Sequence, residues 1–207
     1  MKLTSQSFAD GARIPLKFAA GIPGPSGPVP GPNQSPHLAW SDAPPGTQSF
    51  ALICHDRDVP SKADDVNKKD RRVPHALPRV DFHHWVLVDI PPSFHELAES
   101  ADSDALVPKG KPTGKTDHGR RGANSYGDWF GSDPNMGGVY GGYDGPWPPF
   151  NDERLHHYTF TLYALDVASL DLKDPFTGPQ ALEAMKGHVL ASATWSGVYA
   201  IADYARE

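Results

Sequence analysis

His84-Trp85-Val86-Leu87-Val88-Asp89-Ile90 is nearly continuous apolar sequence, enriched in valine and closed by Pro91 and Pro92. Valine and tryptophan suit a pleated surface and proline cannot donate to a ladder, so the segment predicts a buried strand with an abrupt end. On its N-terminal side, Ser61–Val80 is charged, carries Pro74 and Pro78, and has little periodicity. It reads as an excursion between strands. Before it, Ser49–Cys54 predicts a compact strand that runs into His55-Asp56-Arg57-Asp58. Glycine and proline dominate Gly21–Pro36, an extended loop. On the C-terminal side, Glu99–Gly127 is a second polar excursion, prolonged by the glycines between Gly131 and Gly145. Tyr158–Leu165 then alternates aromatic or aliphatic residues with threonine and alanine, as a half-buried strand does. One helix is expected near the C-terminus, with Thr177 as cap, Pro179 in the first turn, and Leu182, Met185 and Val189 at helical spacing; Gly187 keeps it short. Ala191–Tyr199 reads as a strand or a second short helical piece, its aromatic residues in the core. Strands separated by long irregular loops, with little helix, predict an all-β sandwich instead of a doubly wound α/β sheet.

The bulk properties agree with one globular domain over residues 1–207. Hydrophobic residues make up 38% of the chain and charged residues 21%, enough apolar material for a sizeable core. A net charge of -6 argues against broad attraction to nucleic acid or anionic lipid. The Lys68–Arg72 run, followed by Lys109, Lys111, Lys115, Arg120 and Arg121, reads as a pair of solvated loops. Cys54 is the only cysteine, which excludes an intrachain disulfide, and its apolar strand suggests an inert core thiol. Asp10, Arg13 and Lys17 interrupt the first twenty residues, and no segment approaches the roughly 20 apolar residues of a membrane span. A cytoplasmic protein without integral membrane association is expected.

Candidate chemistry gathers at the strand ends. Asp56 and Asp58, two residues apart, share a face if strand geometry persists and could then shape one polar pocket; alternatively they cap a turn. Of the neighbours His83 and His84, at most one enters that pocket, and His156 and His157 pose the same choice. The His-Glu-x-x-His spacing is absent, and neither metal nor cofactor is assigned. Gly141-Gly142-Tyr143-Asp144-Gly145-Pro146-Trp147-Pro148-Pro149 combines glycines that admit close backbone approach with a proline-stiffened wall, and its amides could form an anion nest. Gly110–Lys115 lacks the glycine spacing of a nucleotide-binding P-loop.

These pieces together resemble the phosphatidylethanolamine-binding protein family, also called the Raf kinase inhibitor-like family. Asp56-Arg57-Asp58-Val59-Pro60 is similar to its Asp-Pro-Asp-x-Pro segment, with Arg57 in place of proline. His83-His84-Trp85, Gly145–Pro149, Leu155-His156-His157-Tyr158 and Ser192–Gly197 follow in the family's order, and the long insert together with Phe150-Asn151-Asp152-Glu153 resembles the bacterial branch. The resemblance implies a Greek-key β-sandwich with a small cavity for phosphate-like or carboxylate groups. Its matched residues are Asp56, Asp58, His84, Gly145, Pro149, His156 and Tyr158. His157 stands where the motif usually has arginine. The resemblance also implies a cis Val59–Pro60 bond that turns the chain away and leaves both acids at the cavity rim.

The leading functional expectation is a non-enzymatic protein that binds a small phosphate- or carboxylate-bearing ligand. In it, neutral His84 and backbone amides donate hydrogen bonds to the anion, Asp56 or Asp58 orients His84, and Tyr158 closes one wall. Two other readings stand beside it. One is a protein-interaction module whose long loops recognise a partner; the other is a metal-independent hydrolase with Asp56 or His84 as base. A homodimer is the oligomeric state favoured by the bacterial resemblance.

Overall fold

The computed structural model describes residues 1–207. In chain order its strands are β1 Lys2–Thr4, β2 Gly21–Ile22, β3 Val29–Pro30, β4 Leu38–Ser41, β5 Ser49–Pro60, β6 Arg79–Ile90, β7 Glu96–Leu97, β8 Gly114–Thr116, β9 Gly119–Arg121, β10 His156–Leu165 and β11 Val189–Tyr199. Two short α-helices complete it, α1 Tyr126–Trp129 and α2 Gly178–Ala184. A six-stranded antiparallel sheet has the order β11-β10-β5-β6-β9-β8, and a three-stranded sheet the order β1-β4-β7. β10 returns over a long connection to pair beside β5, the Greek-key relation that the family resemblance implies.

The large sheet is buried on both faces, which is why the strand beginning at His84 has so few polar residues. On one face Leu52, Cys54, Trp85, Leu87, Phe160 and Leu162 pack against Leu3, Leu38, Trp40 and Leu97 of the small sheet. On the other face Ile53, Val86 and Val88 meet Leu170, Phe176, Ala181 and Met185 of α2 and its approach. Phe and Leu side chains buried in this way each contribute about 1.5–3 kcal/mol.

Several expectations are corrected. β5 does not stop at Cys54 but continues to Pro60, where Val59 pairs with Val80 and Pro60 with Arg79. The only cis peptide bond is Asp174–Pro175, so Val59–Pro60 is trans. An extended ladder through Pro60 needs the trans form, and the chain is re-aimed by bulges instead. In α2 the inward face is Ala181 and Met185, whereas Leu182 is exposed and Val189 already belongs to β11. The capping expectation holds: the Thr177 amide donates to Gln180 Oε1 at 2.9 Å. The second polar excursion contains the β8–β9 hairpin, and its basic residues are not merely solvated. Lys111 Nζ lies 2.6 Å from Asp144, Arg120 Nε 2.9 Å from Asp89, and Arg121 Nε 2.7 Å from Asp102.

Candidate functional site

Three neighbouring strands converge at one end of the large sheet. β5 supplies Asp56, Val59 and Pro60, β6 supplies Phe82 and His84, and β10 supplies His156 and Tyr158; Tyr126, Trp129 and the Trp147–Pro149 wall close the cavity. Its volume is about 30 Å³, roughly twice what one buried water needs. The floor is polar and the mouth apolar and aromatic, with Trp129 exposed at 44%.

A bulge decides which histidine enters. Between Cys54 and His55, β5 advances one residue while its partner positions on β6 pass from Trp85 to His83, leaving His84 as the extra residue. Simple alternation from the core residue Trp85 would have turned His83 inward. Instead His83 packs beside His55, 6.3 Å between rings, and against Gly178. His84 turns to the cavity among Phe82 at 4.8 Å, Tyr126 at 5.6 Å and Tyr158 at 5.0 Å between ring centroids. A second register shift between Asp56 and Val59 separates the two acids. Asp56 faces the cavity, while the Asp58 carboxylate turns outward to the His157 amide at 3.1 Å, His157 Nδ1 at 2.9 Å and Arg154 at 3.3 Å. Asp58 thus stands behind the floor.

Each imidazole has a defined role. His84 Nδ1 donates to the Asp144 carbonyl at 2.8 Å. A carbonyl only accepts, so Nδ1 carries hydrogen and Nε2 of the neutral ring presents a lone pair. That nitrogen is buried and has no partner in the chain. Burial pulls the ring's pKa down to about 4, although Asp56 and the Asp144 carbonyl oppose the shift. The expected orientation of His84 by Asp56 or Asp58 is therefore corrected, as is its role as a neutral donor into the cavity.

His156 is the converse case. Its Nδ1 donates to Asp56 Oδ2 at 2.6 Å and its Nε2 to Asp152 Oδ2 at 3.1 Å. Burial alone would depress it, but the two carboxylates raise it to about 9, so it is an imidazolium at neutral pH with both protons spent. Arg79 clamps Asp152 through bonds of 2.6 and 3.0 Å. Asp56, Asp58 and Asp152 are balanced by Arg79, Arg154 and His156, a neutralised base beneath the cavity.

The glycine and proline loop contributes differently from the expected nest. Gly141 and Asp144 amides donate to backbone carbonyls, and the Gly145 amide donates to Asn33 Oδ1 at 2.8 Å. These donors are spent. A side chain at Gly145 would run into the Phe18 carbonyl, while its own carbonyl accepts from the Tyr126 hydroxyl at 2.7 Å. Gly145 therefore supports the wall without lining the cavity. The buried Asp144 carboxylate is held by Asn33, Lys111 and Asn124 at 2.8, 2.6 and 2.8 Å.

Of the residues singled out in the sequence, Asp56, His84, Pro149, His156 and Tyr158 line one cavity, and Asp58 and Gly145 stand behind it. The phosphatidylethanolamine-binding protein family profile matches residues 4–200. The chain belongs to that family. An UPF0098 protein of Methanothermobacter thermautotrophicus is 33% identical over 199 residues, covering 96% of this chain and 98% of its relative. A crystal structure of a family homologue from Chlamydia trachomatis has a TM-score of 0.63 and 30% identity, with coverage of 96% of this chain and 95% of that one. Escherichia coli YbcL superposes with a TM-score of 0.68 over 97% and 98% of the two chains; at 24% identity it speaks for the fold alone.

Residues missed in the sequence are Asp152, which completes the His156 pair, and the aromatic walls Phe82, Tyr126, Trp129 and Trp147. Asp152 lies four residues before His156, but in a loop that spacing carries no helical meaning. The aromatic residues come from separate segments, and only the fold brings them together. No group of three or more His, Cys, Asp or Glu side chains forms a metal-binding arrangement.

Proposed function

We propose that this chain binds a small anion, a phosphate group above all, and acts as a binding or regulatory protein. The observation that carries the reading is the small, partly open cavity at the strand ends, lined by His84 and Asp56 above a neutralised network. Membership of the family supports the ligand class. The volume of about 30 Å³ limits what enters to one small group, with the Phe82, Trp129 and Trp147 mouth receiving whatever apolar part is attached. His156, Asp56, Asp58, Tyr158 and the Gly145–Pro149 wall serve as ligand-site or supporting residues in this proposal.

Catalysis is not part of it. A ring with a pKa of about 4 is a weak general base at neutral pH, and the thiol of Cys54 is buried, which pushes its pKa well up. No helix is long and apolar enough to cross a membrane. A cytoplasmic location is the accompanying proposal, and cell fractionation tests it.

Calorimetric titration with methyl phosphate, phosphoethanolamine and acetate tests the central reading. Saturable binding of at least the phosphate ligands is expected, with loss on Tyr158→Trp, which fills the cavity. Absence of saturable binding by all three would overturn the proposal.

A further inference from the structure

We propose that His84 makes the cavity selective for an anion that carries a proton, a phosphomonoester monoanion, over a charge-matched anion that carries none. The inference rests on the anion-binding reading above and goes beyond it by assigning the protonation state of the ligand. Its basis is geometric. The Asp144 carbonyl occupies the hydrogen on Nδ1, so the one polar atom that this cavity-lining ring leaves without a partner is the buried Nε2, which offers a lone pair. Both His156 nitrogens donate to carboxylates, so the neighbouring imidazolium has no proton left for a ligand. Asp56 adds a second acceptor to the floor, with Oδ1 already taking the Asp58 amide at 2.7 Å and Oδ2 taking His156. An anion with only lone pairs meets lone pairs at His84. A phosphomonoester monoanion instead turns its P–OH toward Nε2, and the one acceptor left without a partner is satisfied by that proton.

The proton is shared within the complex. A phosphomonoester dianion that enters with one proton from solvent gives the same complex as a monoanion that brings its own, whether the hydrogen rests on oxygen or on Nε2. Either description has one proton bound that free neutral His84 and the free dianion lack. The groups facing His84 leave no other source nearby. Tyr126 and Tyr158 are buried and held neutral, their pKa values well above the usual range. His83 on β6 is lowered by burial, then by His55. From the Asp144 loop, the buried carboxylate is occupied by Lys111. From β10, His156 stays cationic to about pH 9, and from β5 Asp56 is its partner. The low ring pKa of about 4 means that His84 does not arrive already protonated at neutral pH.

The test compares methyl phosphate with methyl sulfate by calorimetry, at pH 6 and pH 8, in two buffers of different ionisation enthalpy. Methyl sulfate has the charge and shape of methyl hydrogen phosphate but no O–H. With a second phosphate pKa near 6, methyl phosphate affinity should fall roughly fifty-fold between the two pH values, with about one proton taken up per ligand bound at pH 8. At pH 6 methyl sulfate should bind about a hundredfold more weakly, the cost of protonating a ring of pKa about 4. H84Q, whose amide can donate or accept, should abolish proton uptake and bring the two affinities within a few-fold. The wild-type pair decides the matter if H84Q does not fold. Equal affinities without proton uptake overturn the inference and leave the anion pocket standing. Failure of both ligands to bind at either pH overturns the pocket reading itself.

Discussion

Replacing Asp152 by Asn should be among the most damaging single substitutions outside the hydrophobic core. The carboxylate receives two bonds from Arg79, whose side chain is 5% exposed, one from His156 and one from the Arg154 amide at 2.9 Å. An amide nitrogen in place of one oxygen leaves a buried guanidinium facing a group that cannot neutralise it. Removing one partner of a buried ion pair costs about 3–5 kcal/mol, a large part of the ~5–15 kcal/mol by which domains are stable. His156 adds a pH signature. Its elevation from 6.5 to about 9 corresponds to about 3 kcal/mol, because the 1% exposed side chain has little solvent screening. A raised imidazole pKa stabilises the fold fully below about 6.5, and that contribution is lost as pH rises through about 9. In Asp152→Asn the imidazole loses one of its two acceptors, so its folded pKa falls, the contribution is smaller, and its loss should be complete at lower pH. Urea unfolding from pH 6 to 10, with the His156 ring followed by NMR, measures both effects. A loss below about 1 kcal/mol at pH 7, with an unchanged His156 titration, would refute the argued coupling.

Lys111→Ala should cost about 3–5 kcal/mol at pH 7 by stranding the Asp144 carboxylate, which is 0% exposed. Burial already raises Asp144, against Lys111, so the penalty should shrink as pH falls toward 4, which thermal unfolding at pH 7 and 4.5 checks. Trp129, exposed at the mouth, should change its fluorescence on titration with phenyl phosphate, and Trp129→Phe should reduce the signal to the part contributed by Trp147 with only a few-fold loss of affinity. Phe160→Ala should lower stability by about 3–5 kcal/mol in urea, since the ring is 0% exposed and packs between Phe8 and Tyr143.

The strands were legible wherever side-chain pattern and burial coincide. Trp85 and Leu87 face the small sheet and Val86 and Val88 face α2, so a continuous apolar run was an accurate sign of a strand covered twice. The continuation of β5 was not legible, because His55–Asp58 is polar for reasons of the site and pairs through its backbone all the same. The strand reading of Asp56 and Asp58 failed at a register shift, which inserts a residue without any mark in side-chain composition. The same cause concealed why His84 and not His83 turns inward. Lys111 and Arg121 looked like solvated loop residues because their partners, Asp144 and Asp102, are 33 and 19 residues away. The role of His84 was misread for a subtler reason: its protonated nitrogen is selected by a main-chain carbonyl, and every residue type has one.

Asp144 gives the loops a mechanical meaning. Its amide and carbonyl bracket His84 while its side chain is anchored by Asn33, Lys111 and Asn124, residues spread over more than ninety positions of the chain. Three otherwise irregular segments are thereby laced to a single residue. Loosening any lace lets that carbonyl swing, and a swung carbonyl frees the imidazole to exchange tautomers. Acceptor would become donor without a change in any side chain that lines the cavity. Chemical selectivity at this end of the sandwich can therefore drift through residues that no ligand ever touches, and comparisons restricted to the cavity walls would overlook it.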